Sequence, residues 1–226
     1  MKSRRGIFFD LDGTLVDNEH LKARAFSDAI EQFGGKSQPS VYKEVVGMSG
    51  PVIIKHFIEK AGIQIDLEAY VKTYKARYAS LIRSDLVIRP GAIRFLGETK
   101  KKGLQLALVS GSSSTFVTYI LNALDLEPYF DFIIASEDVI HKKPHPECYQ
   151  LAMEKMSVSN EQSIVFEDTE AGLKAAGRAG IACLCIRHAY NQAHDLSSAV
   201  AEYDSYANNF ANICQNINAI FNVEIF

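Results

Sequence analysis

The 226-residue chain contains no tryptophan, six prolines and four cysteines, and it carries no excess of positive charge. Each shortage closes off a class of protein. The cysteines, Cys148, Cys183, Cys185 and Cys214, form no C-x-x-C pair, so neither a cysteine zinc site nor a disulfide scaffold is expected. They read as small buried side chains in a reducing, cytoplasmic setting. Cys183 and Cys185, two apart in an apolar run, should face the same side of a strand. Lysine and arginine number 24 against 27 aspartates and glutamates, a net charge of −3, which supplies no basic surface for nucleic acid or an anionic membrane. No apolar run approaches the length of a membrane span. Only Ile7-Phe8-Phe9 runs apolar before Asp10, so no secretory leader is expected. There is no internal repeat and no low-complexity segment. With 47% hydrophobic residues, the chain has the length of one good-sized domain, or of a domain with a smaller insert. Because no exposed apolar surface is evident in the pattern, a monomer is expected.

The most informative stretch is Ile7-Phe8-Phe9-Asp10-Leu11-Asp12-Gly13-Thr14-Leu15-Val16-Asp17. Ile-Phe-Phe reads as a short buried strand. A carboxylate ending such a strand sits where open α/β sheets bind ligands, and Gly13 lets the chain turn there. Asp10 and Asp12 would crowd one small volume, which favours a cation between them or a proton on one.

After Asp17 the rhythm changes. Leu21, Ala25, Phe26, Ala29, Ile30 and Phe33 predict an amphipathic helix, with Asp17 or Asn18 as its cap and Gly34-Gly35 as its stop. Val52, Ile53, Phe57 and Ile58 mark a second helix, and Leu67, Tyr70, Val71, Tyr74, Tyr78, Leu81 and Ile82 a third, whose tyrosine stripe reads chiefly as core packing. From Pro90-Gly91 strands and helices alternate: a helix over 93–102, strands near 104–109, 132–135, 163–166 and 181–186 with helices between them, and a closing helix carrying Phe210, Ile213, Ile217, Ile220 and Phe221. This predicts an α/β fold, a Rossmann-like parallel sheet flanked by helices, with right-handed crossovers. Residues 17–87 are too many for one crossover. They read as an all-helical cap domain inserted into an α/β core of residues 1–16 and 88–226, with hinges at Val16-Asp17 and near 86–90.

In a parallel sheet the strand ends share one edge. Asp10 and Asp12, Ser110, Lys143 and Glu167-Asp168 all follow strands closely. The carboxylates at 10 and 168, with 167, offer a hard oxygen site suited to Mg²⁺. Lys143, with the hydroxyl and N–H groups at Ser110 and Gly111, can hold the oxygens of a phosphoryl group.

These residues resemble the haloacid dehalogenase superfamily of aspartate-nucleophile phosphohydrolases. Asp10-Leu11-Asp12-Gly13-Thr14 matches its first motif, Ser110 the second, Lys143-Pro144 the third and Glu167-Asp168 the fourth. Pro90-Gly91 and Asp168-Thr169-Glu170-Ala171-Gly172 resemble the β-phosphoglucomutase and phosphoglycolate phosphatase branch, in which a helical cap lies between the first two motifs. The resemblance implies that Asp10 attacks phosphorus and Asp12 is the general acid and base. It implies that Asp10, Asp12 through its backbone carbonyl, Glu167 and Asp168 bind Mg²⁺, and that Ser110, Gly111, Ser112 and Lys143 position the phosphoryl group while Gly13 and Thr14 shape the loop. The substrate would be a small phosphorylated metabolite, chosen by the cap loop 45–51 and a face near Asn18, Lys22 and Arg24.

Two departures separate the chain from the mutases of that branch. Their cap histidine falls at Lys22, with His20 two positions away. Their Lys-Gly pair and following Arg fall at Val46-Gly47 and Gly50. Lys142 stands where the branch often has a small residue and reads as extra positive charge near the phosphate. A phosphatase is therefore expected, with a β-phosphoglucomutase-like mutase as the alternative. A dehalogenase, or an inert binding module, fits the complete set of catalytic residues less well.

Overall fold

The computed structural model describes residues 4–226. Six strands form one sheet: β1 (Gly6–Phe9), β2 (Gln105–Val109), β3 (Phe132–Ile134), β4 (Ser163–Glu167), β5 (Ala182–Ile186) and β6 (Ala201–Tyr203). Their order is β3-β2-β1-β4-β5-β6, and every pairing is parallel. β1 sits in the middle, with Phe9 opposite Leu108 on one side and Phe166 on the other.

The period of two along each strand sorts the core into two layers. Ile7, Phe9, Leu106, Leu108, Ile164, Phe166, Leu184 and Ile186 pack on one face against α4 (Ala92–Lys101), α5 (Ser114–Ala123) and α8 (Tyr206–Phe221). Phe8, Ala107, Val109, Val165, Cys183 and Cys185 pack on the other against α6 (Glu147–Met156) and α7 (Glu170–Arg178). The two cysteines do share a face, their sulfurs 3.9 Å apart, and all four cysteines are free and buried.

Between β1 and α4 lie three helices, α1 (Glu19–Gln32), α2 (Gly50–Ala61) and α3 (Leu67–Asp85), and a 3-10 turn over Pro39–Glu44. They have an apolar core of their own, in which Phe26 stacks on Tyr74 with ring centres 3.8 Å apart and Phe57 and Tyr70 are fully buried. Burying each such ring contributes roughly 1.5–3 kcal/mol. Asp66 caps α3 by accepting from Ala69 N at 2.7 Å, and Gly62 ends α2 at φ +65°. The two strands of chain joining this helical cap to the sheet lie side by side: Asp17 N donates to Val87 O at 2.8 Å and Arg89 N to Leu15 O at 2.9 Å.

The structure corrects the sequence reading in three places. The tail after β5 contains a sixth strand. It is three residues long and places Glu202 outward between Ala201 and Tyr203, so it has no periodicity to read. Asn18 holds the N-cap position of α1, but its side chain makes no capping bond and turns instead to Asp12. In the tyrosine stripe, Tyr70 and Tyr78 are core, whereas Tyr74 also lines the cavity described below.

Candidate active site

The carboxyl edge of β1 and β4 sets the site. Asp10 follows β1 directly and its N–H donates to Phe166 O at 2.9 Å, which extends the ladder by one residue and fixes the direction of the side chain. Gly13 then turns at φ +79°, a conformation that glycine adopts without strain. A Cβ on Gly13 would lie 2.3 Å from Asp168 Oδ2, so the loop after β1 packs against the end of β4 only because that atom is missing.

Lys143 ties these ends together. Its Nζ is 2.7 Å from Asp10 Oδ1 and 2.5 Å from Glu167 Oε1, and it donates to Val109 O at 2.9 Å. Glu167 is fully buried, with Oε1 also accepting from Tyr149 OH at 2.8 Å and Oε2 accepting from Asp168 N, Thr169 N and Thr169 Oγ1. Burial would raise its pKa, yet Lys143 and these donors hold it below the usual range. Burial instead wins at Asp10 and Asp168, which are pushed well up, with the neighbouring carboxylates adding to the rise.

Oxygens of Asp10, Glu167 and Asp168 all lie within 4.8 Å of one another. Of these three buried carboxylates, Asp10 and Glu167 pair with the one lysine, Lys143. This set fits a hard divalent cation, which would supply the missing countercharge with the oxygen ligands such an ion prefers. Asp168 is oriented from behind. Thr14 Oγ1 donates to Oδ1 at 3.3 Å, and Asn191 Nδ2 donates to the Asp168 carbonyl at 2.7 Å. His188 Nδ1 accepts from Tyr190 N at 3.2 Å, so the ring proton sits on Nε2, which donates to Asp168 Oδ2 at 2.8 Å. Burial lowers the His188 pKa to about 4 and keeps the ring neutral.

Asp12 has a different environment. Oδ1 accepts from Asn18 Nδ2 at 2.5 Å and pairs with Lys22 Nζ at 3.1 Å, and Oδ2 accepts from Ser112 Oγ at 2.5 Å. Burial opposes ionisation, but Lys22 and the Ser112 and Asn18 bonds prevail and lower its pKa. Ser110 is buried and its Oγ accepts from Ser112 N at 3.0 Å, so it orients the loop bearing Ser112.

A cavity of about 560 Å³ opens over these groups between sheet edge and cap. Asp10, Asp12, Lys22, Gly111, Ser112, Lys143 and Asp168 line it, together with Gly47 to Pro51 of the cap loop and the rings of Tyr42, Tyr74 and Phe116. Gly13, Thr14, Asn18, Ser110 and Glu167 stand behind this wall. Asn18 is fully buried, bonded to Asp12 and to Tyr78 OH, which places it as a support for Asp12. Arg24 is a correction: it lies outside the cavity, in a surface depression with Asp28 and Arg77. Lys142 does line the cavity, but its Nζ is held on the carbonyls of Ser136 and Val139. His20 is half-exposed beside Asp17. Sequence reasoning missed Glu19, His188 and Asn191. His188 and Asn191 follow β5, so the strand-end argument already applied elsewhere would have found that segment.

A buried acidic triad at the edge of a parallel sheet, with one lysine, a separate carboxylate and a helical cap above, defines a class of hydrolase with an aspartate-rich site on a Rossmann-like sheet. The comparisons agree. A model of the haloacid dehalogenase-like hydrolases matches residues 7–186, and the chain belongs to that family as a hydrolase of the phosphatase type. It is similar to the phosphorylated carbohydrates phosphatase of Thermotoga maritima, 30% identical over 86% of this chain and 88% of that protein. It also resembles the phosphoglycolate phosphatase of Yersinia pestis, 27% identical over 88% of this chain and 87% of that protein. CbbY from Rhodobacter sphaeroides, solved in complex with xylulose-1,5-bisphosphate, superposes with a TM-score of 0.77 and 27% identity over 90% of this chain and 95% of that chain. Among the described residues no helix is long and apolar enough to cross a membrane.

Proposed function

We propose that the protein is a Mg²⁺-dependent phosphatase that hydrolyses a small phosphorylated metabolite, a sugar phosphate or a phosphoglycolate-like acid, through an aspartyl-phosphate on Asp10. One observation carries this reading: two carboxylates two residues apart have opposite environments. Asp10 sits among acids in the triad, while Asp12 sits among donors. Burial pushes the Asp10 carboxyl up and the donors hold Asp12 down. With a cation on the triad, Asp10 would return to the carboxylate that a nucleophile needs, and Asp12 would serve as acid with a proton taken up as the phosphorylated substrate binds.

In this reading Asp10 attacks phosphorus while Asp12 protonates the departing oxygen, and the ester leaves as an alcohol. Asp12, then a carboxylate, takes a proton from the water that attacks the aspartyl-phosphate, which restores Asp10 and releases phosphate. Lys143, Gly111 and Ser112 hold the phosphoryl oxygens. Mg²⁺, held by Asp10, Glu167, Asp168 and the Asp12 carbonyl, would offset the negative charge gathered there. Residues 17–87 act as a lid on a core of 1–16 and 88–226, and Gly47 to Pro51 with Tyr42 and Tyr74 select the leaving group. Lys22 supports hydrolysis over the mutase alternative, because Asp12 and Glu19 already occupy its ammonium.

The test is phosphate release from a panel of sugar phosphates and phosphorylated short acids, with Mg²⁺ and after chelation. Turnover that needs Mg²⁺ and is abolished in Asp10→Asn is expected. An active Asp10→Asn enzyme, or no release from any panel member, overturns the reading.

A further inference from the structure

Outside the acidic triad, the described residues contain one more cluster with metal-ligand chemistry, His141, His145 and Glu147. We propose that these three form a second metal site, for a borderline divalent ion such as Zn²⁺, on the loop that carries Lys143. Their ligand atoms all lie within 4.8 Å of one another. His141 Nδ1 is 2.8 Å from Glu147 Oε2, and His145 Nδ1 is 3.9 Å from the same oxygen. The two rings stand 4.5 Å apart between centres. Ligand atoms around one tetrahedral zinc lie about 3.3 Å apart, given bonds of about 2.0–2.1 Å. The two observed distances bracket that value, so ring rotations that release His145 Nδ1 from the Glu147 N–H, which it accepts at 3.3 Å, would close the site.

The carboxylate is well prepared for this. Glu147 Oε1 accepts from Ile140 N at 2.8 Å and Oε2 from His141 N at 2.9 Å, so the backbone holds it against the loop. Among the described residues no lysine or arginine pairs with it: Lys143, the nearest in sequence, is held on Asp10 and Glu167, and Lys142 on the Ser136 and Val139 carbonyls. Binding would replace the contact between His141 Nδ1 and Oε2 by two metal bonds, releasing any proton shared there to solvent. The rings are 61% and 48% exposed, so an ion can enter and a water can complete the coordination. Two imidazoles with one carboxylate favour Zn²⁺ over Mg²⁺, whereas the oxygen-only triad has the reverse preference. The two sites should therefore sort the two ions.

The location gives the site its consequence. His141 lies two residues before Lys143 and His145 two residues after it. A metal joining both to the first residue of α6 would fix the loop on either side of the lysine that bridges Asp10 and Glu167.

Calorimetric titration of Zn²⁺ into the full-length protein, with Mg²⁺ in large excess, tests the proposal. One equivalent of Zn²⁺ is expected in the wild type and in Asp168→Asn, and none in His141→Ala/His145→Ala. Imidazole NMR signals of His141 and His145 in the wild type should move on Zn²⁺ addition, which needs no variant. Failure of the wild type to take up Zn²⁺, uptake unchanged in the double variant, or uptake lost in Asp168→Asn would each overturn it. So would imidazole signals of both residues that stay still.

Discussion

Lys22 Nζ lies 3.1 Å from Asp12 Oδ1, in an ion pair that joins helix α1 of the cap to the loop after β1. Both side chains are nearly buried, at 13% and 10% exposure. Removing one partner of such a pair leaves the other charge buried and uncompensated. Lys22→Ala should therefore lower kcat/KM by about tenfold or more, tenfold being about 1.4 kcal/mol. Steady-state kinetics with the best substrate of the panel checks this, and an unchanged kcat/KM would show the pair to be incidental.

His188 reaches Asp168 with a ring whose proton is already placed on Nε2. Partners of this kind orient metal ligands, and losing one weakens metal affinity by about 10–100-fold. His188→Ala should raise the Mg²⁺ concentration for half-maximal activity by that amount and weaken Mg²⁺ binding in calorimetry. Substrate KM at saturating Mg²⁺ should move little. Equal Mg²⁺ affinity in the variant and the wild type would remove His188 from this role.

Asp168 also carries a conflict between stability and use. Without a cation, burial and the neighbouring Glu167 oppose ionisation of Asp168, and its pKa is pushed well up. Mg²⁺ should raise the thermal midpoint, since an ion bound only by the folded state stabilises it by about 2.7 kcal/mol at 100 times its Kd. Asp168→Asn should abolish that response and yet melt higher than wild type in EDTA, because one of three crowded buried acids is gone. Scanning calorimetry of both proteins with Mg²⁺ and with EDTA decides it.

His194 links helix α7 to the cap loop. Its Nδ1 accepts from Glu170 N at 3.2 Å, and it bonds the backbone at Val46. Burial lowers its pKa. Glu170 favours the charged ring, while His188 and Arg187 oppose it. The unfolded chain therefore takes up this proton first, and stability falls as pH drops through the ordinary histidine value of about 6.5 and then the lower folded one. Urea melts at pH 7.5 and 5.5 should show this loss, and His194→Gln should reduce it. An equal loss in both proteins would place the pH sensitivity elsewhere.

Asp10, Asp12, Lys143 and Glu167-Asp168 were readable from the sequence because each follows a strand, and a parallel sheet carries all such ends to one edge. The helices between Asp17 and Pro90 were readable because that stretch has helical spacing and no strand-like run. What escaped depends on how elements are aimed. Lys22 and Arg24 are two apart on one helix, yet one faces the cavity and the other the surface, and no periodicity tells which face meets the sheet. Asn18 has the residue type and position of a helix cap, but a carboxylate six residues earlier in the chain claims its amide. β6 is too short to show alternation.

Gly172 offers a sharp test of how tightly the triad is built. Glycine inside a helix normally costs about 0.5–1 kcal/mol relative to alanine. Gly177, also in α7, has open space where a Cβ would go, so Gly177→Ala should stabilise by about that amount. At Gly172 the sign reverses. A Cβ there would lie 1.9 Å from Glu167 Cδ and 2.0 and 2.2 Å from its two oxygens. Glu167 cannot step aside without losing Lys143 and Tyr149 at one oxygen or the Thr169 hydroxyl at the other. Overpacking of this kind costs about 1–3 kcal/mol. Gly172→Ala should therefore lower stability in urea melts and lower kcat as well, because shifting Glu167 also shifts Lys143 and, through it, Asp10. A Gly172→Ala enzyme as stable and active as Gly177→Ala would mean that the end of β4 and the start of α7 can separate freely, and that Glu167 does not position Lys143.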